Sequence, residues 1–265
     1  MGFFEYTCDD RVYLKSELLS RCGELTHAFT SKCGGVSLGK IDGFNLGFRV
    51  FDDENSVKEN YRLLSADLGF SLSRAVLSKQ THTDNIRVVT QEDCGKGIVK
   101  KSDIEDTDAL VTNILDVALI VFAADCTPIL MYDREKGAVA AVHSGWRGTV
   151  KKISAKCIDI MKREYGSNPK DIICAIGPSI GPCCFEFGEE AVIYFDKKYY
   201  RERPNGKYDI DLWSMNRDIL SEAGVLEENI DMSRVCTVCK SDKFYSYRAH
   251  KERAGRQAAL IIMKG

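Results

Sequence analysis

The chain has 265 residues, 44% of them hydrophobic, enough to bury a large core without covalent staples. Its 37 basic and 39 acidic residues leave a formal charge of −2, and the basic pairs Lys100-Lys101, Lys151-Lys152 and Lys197-Lys198 are scattered, so neither nucleic acid nor membrane is an expected partner. Eleven cysteines, an odd number in a long chain, exclude a secreted disulfide scaffold, and the longest apolar run, VALIVFAA at 117–124, is strand-sized. With no secretory pattern in MGFFEYTCDDRVYLK, a reduced, cytoplasmic protein is expected, with mostly buried thiols.

In chain order, 25–50 reads as short strands joined by glycine turns, and 55–69 as a helix with Val57, Tyr61, Leu64 and Leu68 on one face. RAVLSKQTHTDNIRVVTQ reads as a strand, a polar turn at 80–85 and a second strand. TDALVT and VALIVFAADCTPILMY add strands, the latter interrupted at Ala124-Asp125-Cys126, and GAVAAVHSG adds another. TVKKISAKCIDIMKREYG has helical spacing, with Ile153, Cys157, Ile160 and Met161 on one stripe. DIICAIGPSIG is a strand ending in a Gly-Pro turn, 186–199 and 212–224 read as helices, and SRVCTV, KFYSYRA and QAALIIMK as strands. No repeat, low-complexity tract or linker divides the chain. The expectation is one domain over 1–265, a mixed-sheet α/β sandwich.

Four histidines occur: His27, His82, His143 and His250. His82 and His143 each follow an apolar run, and Cys126 interrupts a third. Two imidazoles and a thiolate make three zinc ligands, and three protein ligands leave the open corner of a catalytic zinc. Their spacing is too wide for a finger but suits neighbouring strand ends. The competing reading has both histidines capping strands and Cys126 as a packed thiol. Asp84, Asp125 and Ser144 are possible acceptors for the imidazoles. CTVCK holds a C-x2-C, Cys236 and Cys239, but Cys183-Cys184 is adjacent rather than spaced, so two core or edge thiols are expected. GPSIGPCCFEFGEE reads either as a Gly-Pro loop whose amides hold an anion at a helix start, or as a plain turn fixed by Pro178 and Pro182.

KQTHTDNIRVV, TDALVT, AADCTPILMYD, AAVHSGWRGT, AIGPSIGPCCFEFG and FYSYR…AGRQAALI resemble, in order and spacing, the motifs of the laccase-domain (YfiH-like) family. Its members are described as multicopper polyphenol oxidoreductases and as purine nucleoside phosphorylases that also deaminate adenosine. The resemblance runs from HAFTSKCGGVS to the end of the chain. It implies a single-domain α/β sandwich of the family's own type, with Zn2+ (copper being possible) on His82, Cys126 and His143 as metal ligands and catalytic residues. It further implies phosphorolysis of adenosine, inosine or methylthioadenosine, plus hydrolytic deamination of adenosine. Purine nucleosides and phosphate are then the partners.

For phosphate, the expected groups are Lys32, Arg147 and the 178–182 amides; for the base, Trp146 or Phe185; Arg248 is the remaining matching cation. Asp84, Asp125 or Glu186 would serve as acid/base, because the His-x-Glu signature of known zinc deaminases is absent. A surface ion pair for Arg147 and core packing for Trp146 are the competing readings. Lys32 replaces a usual arginine, and Ala249-His250 a usual Arg-Asp, which bears on substrate preference. The rival functions are a copper polyphenol oxidase, a thiol hydrolase using Cys126 and His143, a cell-wall precursor editing factor, and a non-enzymatic scaffold. Four histidines are too few for a multicopper centre.

Overall fold

The computed structural model describes residues 2–48 and 50–265. A hairpin of β1 (Phe3–Cys8) and β2 (Arg11–Ser16) leads through α1 (Glu17–Ser20) into β3 (Leu25–Thr30). Helix α2 (Glu54–Leu68) starts where the Asp53 carboxylate accepts the Ser56 N–H, and Gly69 ends it in the left-handed region at φ 65°. Strands β4 (Ala75–Leu77), β5 (Ile86–Val88), β6 (Ala109–Thr112), β7 (Ala118–Ala123), β8 (Thr127–Asp133) and β9 (Ala138–Ser144) follow. Then come α3 (Trp146–Val150), α4 (Ile153–Tyr165), β10 (Ile172–Ile176), β11 (Glu186–Phe187), α5 (Glu189–Val192), β12 (Tyr200–Glu202) and β13 (Tyr208–Ile210). The chain closes with α6 (Leu212–Glu222), β14 (Ile230–Met232), α7 (Tyr247–His250) and β15 (Gln257–Met263).

The strands form two six-stranded mixed sheets, ordered β1-β2-β3-β15-β7-β4 and β14-β10-β8-β9-β6-β5, and a small sheet β11-β13-β12. The large sheets pack face to face: Phe29, Leu119, Val121 and Ile261 of the first meet Leu110, Leu130, Tyr132 and Val139 of the second. Helix α2 covers the outer face of the first sheet through Val57, Tyr61 and Leu64. Helices α4 and α6 cover that of the second through Ile153, Cys157, Met161 and Leu220. Four layers result. Burial on both faces explains why β8 and β9 are buried throughout and read as continuous apolar runs. Each fully buried Leu, Ile or Val here contributes about 1.5–3 kcal/mol.

Several expectations need correction. Beyond β3, residues 31–48 are turns with one bridge, Ser37 to Gly43, because Gly34, Gly35, Gly39 and Gly43 take positive φ. The helix expected over 149–166 is broken: Lys152 sits at φ 57°, separating α3 from α4. Residues 186–199 are not one helix. Glu186 and Phe187 pair with β13, and Val192 at the end of the short helix α5, with Phe195 and Tyr199 beyond it, packs toward α6. At the C-terminal end, the strand is β14 rather than SRVCTV. KFYSYRA is a turn leading into α7, since the Tyr245 backbone bonds the Gln257 side chain (2.8 and 3.0 Å) instead of a ladder.

Candidate active site

The β7–β8 connection carries the chain from the first large sheet to the second, and Asp125 and Cys126 lie in it. Beside it, β8 and β9 pair with Pro128 opposite His143, which places His143 at the same sheet end. His82 comes from the loop between β4 and β5. Cys126 Sγ is 3.6 Å from His82 Nε2, the two imidazole rings are 5.0 Å apart, and one ligand atom from each residue lies within 4.8 Å of the others. The three residues selected at strand ends therefore meet at one point.

Asp108 organises both histidines. Its buried carboxylate accepts His143 Nδ1–H at 2.7 Å, the His82 N–H at 3.1 Å, the Thr83 N–H at 2.7 Å and the Thr83 hydroxyl at 2.8 Å. With Nδ1 on Asp108, His143 has only Nε2 left for the cluster. His82 takes φ 65° and Asp125 φ 95°, left-handed values rare outside glycine, and both residues line the cavity described below. Gly145 leaves the room that His82 and Cys126 occupy. A Cβ there would stand 2.8 Å from His82 Cδ2 and 3.2 Å from Cys126 Sγ.

Electrostatics follow from this packing. Burial pushes the Cys126 thiol up, but His143 and His82 outweigh it and bring it down to about 6. Burial likewise pushes His143 down, while Cys126 and Asp108 outweigh it and raise it to about 9. Burial raises Asp108, yet His143 and the Thr83 donors hold it at about 2. Without a metal the cluster is poised as a Cys126 thiolate beside a His143 imidazolium, with Asp108 as the orienting carboxylate. Two nitrogens and one sulfur within 4.8 Å match the donor types and reach of a tetrahedral zinc site with one free corner.

The cluster opens onto a cavity of about 720 Å³. Phe48, Phe122, Phe185 and Tyr247 contribute its aromatic surface, and Arg248 and Arg256 its guanidinium groups. Arg256 binds the Ala254 and Gly255 carbonyls through Nη1 at 2.8 and 2.9 Å, and makes no ion pair among the described residues. Arg248 donates to the Cys184 and Glu186 carbonyls, and its N–H binds Asp125 at 2.7 Å. Asp125 also accepts the Thr237 hydroxyl at 2.7 Å.

Of the expected substrate-contacting residues, Asp125, Phe185 and Arg248 line this cavity, whereas Lys32, Trp146, Arg147 and Glu186 do not. Trp146 packs edge-on against Phe187, 5.7 Å between centroids, and Arg147 lies over the indole at 4.3 Å. Glu186 pairs with Arg203 at 3.0 Å and Lys207 at 2.6 Å, and Asp84 with Lys151 at 2.9 Å and with Lys156. Ser144 bonds Thr149 and Asn216, so the orienting acceptor is Asp108, not Asp84 or Ser144. The loop amides of 178–182 are not free for an anion: Ser179, Ile180 and Gly181 donate to Val235 O, Asp125 O and Cys236 Sγ. Pro178 and Pro182 have no N–H, and no helix opens at this loop. Sequence reasoning missed Asp108, Arg256, Phe48 and Tyr247, although Asp108, Tyr247 and Arg256 lie within the family-like motifs TDALVT, FYSYR and AGRQ.

Comparison with known proteins decides the relationship. The family described as "Multi-copper polyphenol oxidoreductase laccase" matches residues 26–264. The chain belongs to this laccase-domain family. It is similar to a protein of Bacteroides thetaiotaomicron named purine nucleoside phosphorylase, 32% identical over 96% of this chain and 97% of that one. It is 35% identical to a protein of an unknown prokaryotic organism named adenosine deaminase RL5, over 91% of this chain and 95% of that one. The crystal structure of YlmD from Geobacillus stearothermophilus matches with a TM-score of 0.92 at 31% identity over 99% of both chains. The mixed-sheet α/β sandwich is thus the fold that members of the laccase-domain family share.

Proposed function

We propose that residues 1–265 form one catalytic domain, a zinc-dependent purine nucleoside phosphorylase that also deaminates adenosine. The observation that carries this reading is the three-ligand cluster, open at one corner, at a cavity with aromatic and guanidinium walls. About 300–1,000 Å³ is the usual range for a small-molecule site, and this cavity falls within it. The names of the relatives fit the same substrate class.

His82, Cys126 and His143 would hold the ion, which supplies Lewis acidity that brings the pKa of a water to about 7. The chain's own residues do the rest. Phe185 and Phe48 offer faces on which a purine stacks. Arg256 Nε and Nη2, without a protein partner among the described residues, and Arg248 attract phosphate toward the ribose. Asp125, adjacent to Cys126 and lining the cavity, serves as the proton-transferring carboxylate. A reducing, cytoplasmic setting belongs to this reading, since it keeps Cys126 available as a ligand.

The test is to incubate the purified protein with adenosine, with and without phosphate, and to resolve adenine, inosine and hypoxanthine. Adenine that forms only with phosphate, and inosine that forms without it, support the proposal; absence of both overturns it. A second reading has an observation of its own: Asp108, His143 and Cys126 also compose a thiol nucleophile, base and orienting acid. The two separate cleanly, because chelation abolishes metal-dependent turnover and leaves thiol hydrolysis intact. A multicopper centre has no such support. His27 accepts the Ser16 N–H and His250 the Ser246 N–H, both apart from the cluster.

A further inference from the structure

The Cys-x-x-Cys pair Cys236 and Cys239, expected from sequence to be two core or edge thiols, comes together with the adjacent pair Cys183 and Cys184. Cys183 and Cys184 end the Gly-Pro loop after β10, and Cys236 and Cys239 lie in the turn after β14. Cys239 Sγ stands 3.5 Å from Cys183 Sγ and 3.5 Å from Cys184 Sγ, and all four sulfurs lie within 4.8 Å of one another. Zn–S bonds of about 2.3 Å in a tetrahedron put sulfurs about 3.8 Å apart, inside that range. The Gly181 N–H points at Cys236 Sγ at 3.3 Å, and the Lys240 N–H closes the Cys-x-x-Cys turn on the Cys236 carbonyl at 2.9 Å. A backbone amide aimed at a sulfur stabilises a thiolate more than a thiol. Cys239 is equidistant from two neighbours, so the arrangement favours no single disulfide pairing over a shared centre.

We propose that Cys183, Cys184, Cys236 and Cys239 bind one zinc ion as a closed tetrathiolate site, separate from the His82/Cys126/His143 cluster. Four protein ligands leave no corner for substrate, so its role is structural. Binding releases the protons of whichever thiols are still protonated, with no change of oxidation state. The ion ties together two segments that the fold otherwise joins by the Ser179–Cys236 bridge and a few hydrogen bonds. Both segments reach the cavity: Ile180 and Phe185 line it, and the Thr237 hydroxyl holds Asp125. The site thereby fixes a wall of the catalytic pocket.

The experiment counts metal in the full-length protein, produced with zinc supplied and kept reduced, by mass spectrometry of the element. Two zinc ions per chain are expected in the wild type, one in His82→Ala and one in a Cys183→Ser/Cys239→Ser double variant. Cobalt replacement assigns them. His82→Ala, whose four cysteines are intact, retains the visible spectrum of an all-sulfur tetrahedral site, and the double variant lacks it. Should the double variant fail to fold, the His82→Ala spectrum alone decides. A single zinc that vanishes entirely with His82→Ala overturns the proposal. So does iron with inorganic sulfide at the four cysteines, or a disulfide there in reduced, zinc-loaded protein.

Discussion

Two sulfur-bearing clusters lie in segments that line or brace the same cavity, and they are built on opposite plans. His143 sits at a strand end, Cys126 in the connection between the large sheets and His82 in the β4–β5 loop, and one buried carboxylate binds the His143 ring and the His82 backbone. The four cysteines sit in two turns, with a backbone amide as the group aimed at sulfur. The first has three donors facing a cavity; the second has four donors facing one another. The difference teaches that ligand number and the rigidity of what holds the ligands separate a reactive centre from a staple.

The largest effect should come from His143→Ala, which removes a ligand and strands Asp108. Turnover of adenosine is expected to fall to background in both reactions. Unfolding temperatures should be compared between metal-free proteins, because a bound ion stabilises whichever protein retains it. If activity persists, the contrast between the clusters loses its catalytic half. Next is Asp108→Asn, which takes the carboxylate from His143 Nδ1 and from the His82 loop. Metal affinity should drop about 10–100-fold, read by competition with a chromophoric chelator, while the cysteine site stays filled.

Arg256→Met should raise the KM for phosphate about tenfold or more, the loss of a charge-assisted hydrogen bond. Deamination, which uses no phosphate, should be unchanged, and equal damage to both reactions would remove Arg256 from the phosphate site.

The pH dependence of Cys126 alkylation in metal-free protein sharpens the comparison further. A thiol brought down to about 6 is mostly thiolate above that pH. Its alkylation should therefore rise through pH 6 and then level off, whereas an ordinary thiol keeps gaining to about pH 8.5. In metal-free His143→Ala the rise should move to higher pH. The smallest effect belongs to Thr237→Val, which cuts the hydroxyl bond between the four-cysteine turn and Asp125. A net hydrogen bond of about 1 kcal/mol predicts a few-fold change in kcat/KM with both metals retained. No change at all would mean the two clusters are neighbours without communication.

What the sequence by itself determined was everything written in local pattern. The burial stripe of α2 with its Gly69 stop, the apolar runs of β7 to β9, and the convergence of His82, Cys126 and His143 from polar positions that follow or interrupt apolar runs were legible because periodicity and strand termini are one-dimensional signals. The break at Lys152 and the loss of a helix over 186–199 were not, since packing against α6 and pairing with β13 overrode local preference. Tertiary structure alone decided which acid mattered. Asp84, next to the QTH motif, turns to lysines, while Asp108, far along the chain, receives both histidine segments. It also decided that an adjacent cysteine pair and a Cys-x-x-Cys turn some fifty residues on share one point, with Sγ atoms 3.5 Å apart. The physical reason is common to both: hydrogen-bond and metal-ligand geometry depends on distance in space, and the chain reaches those distances only after two sheets have packed.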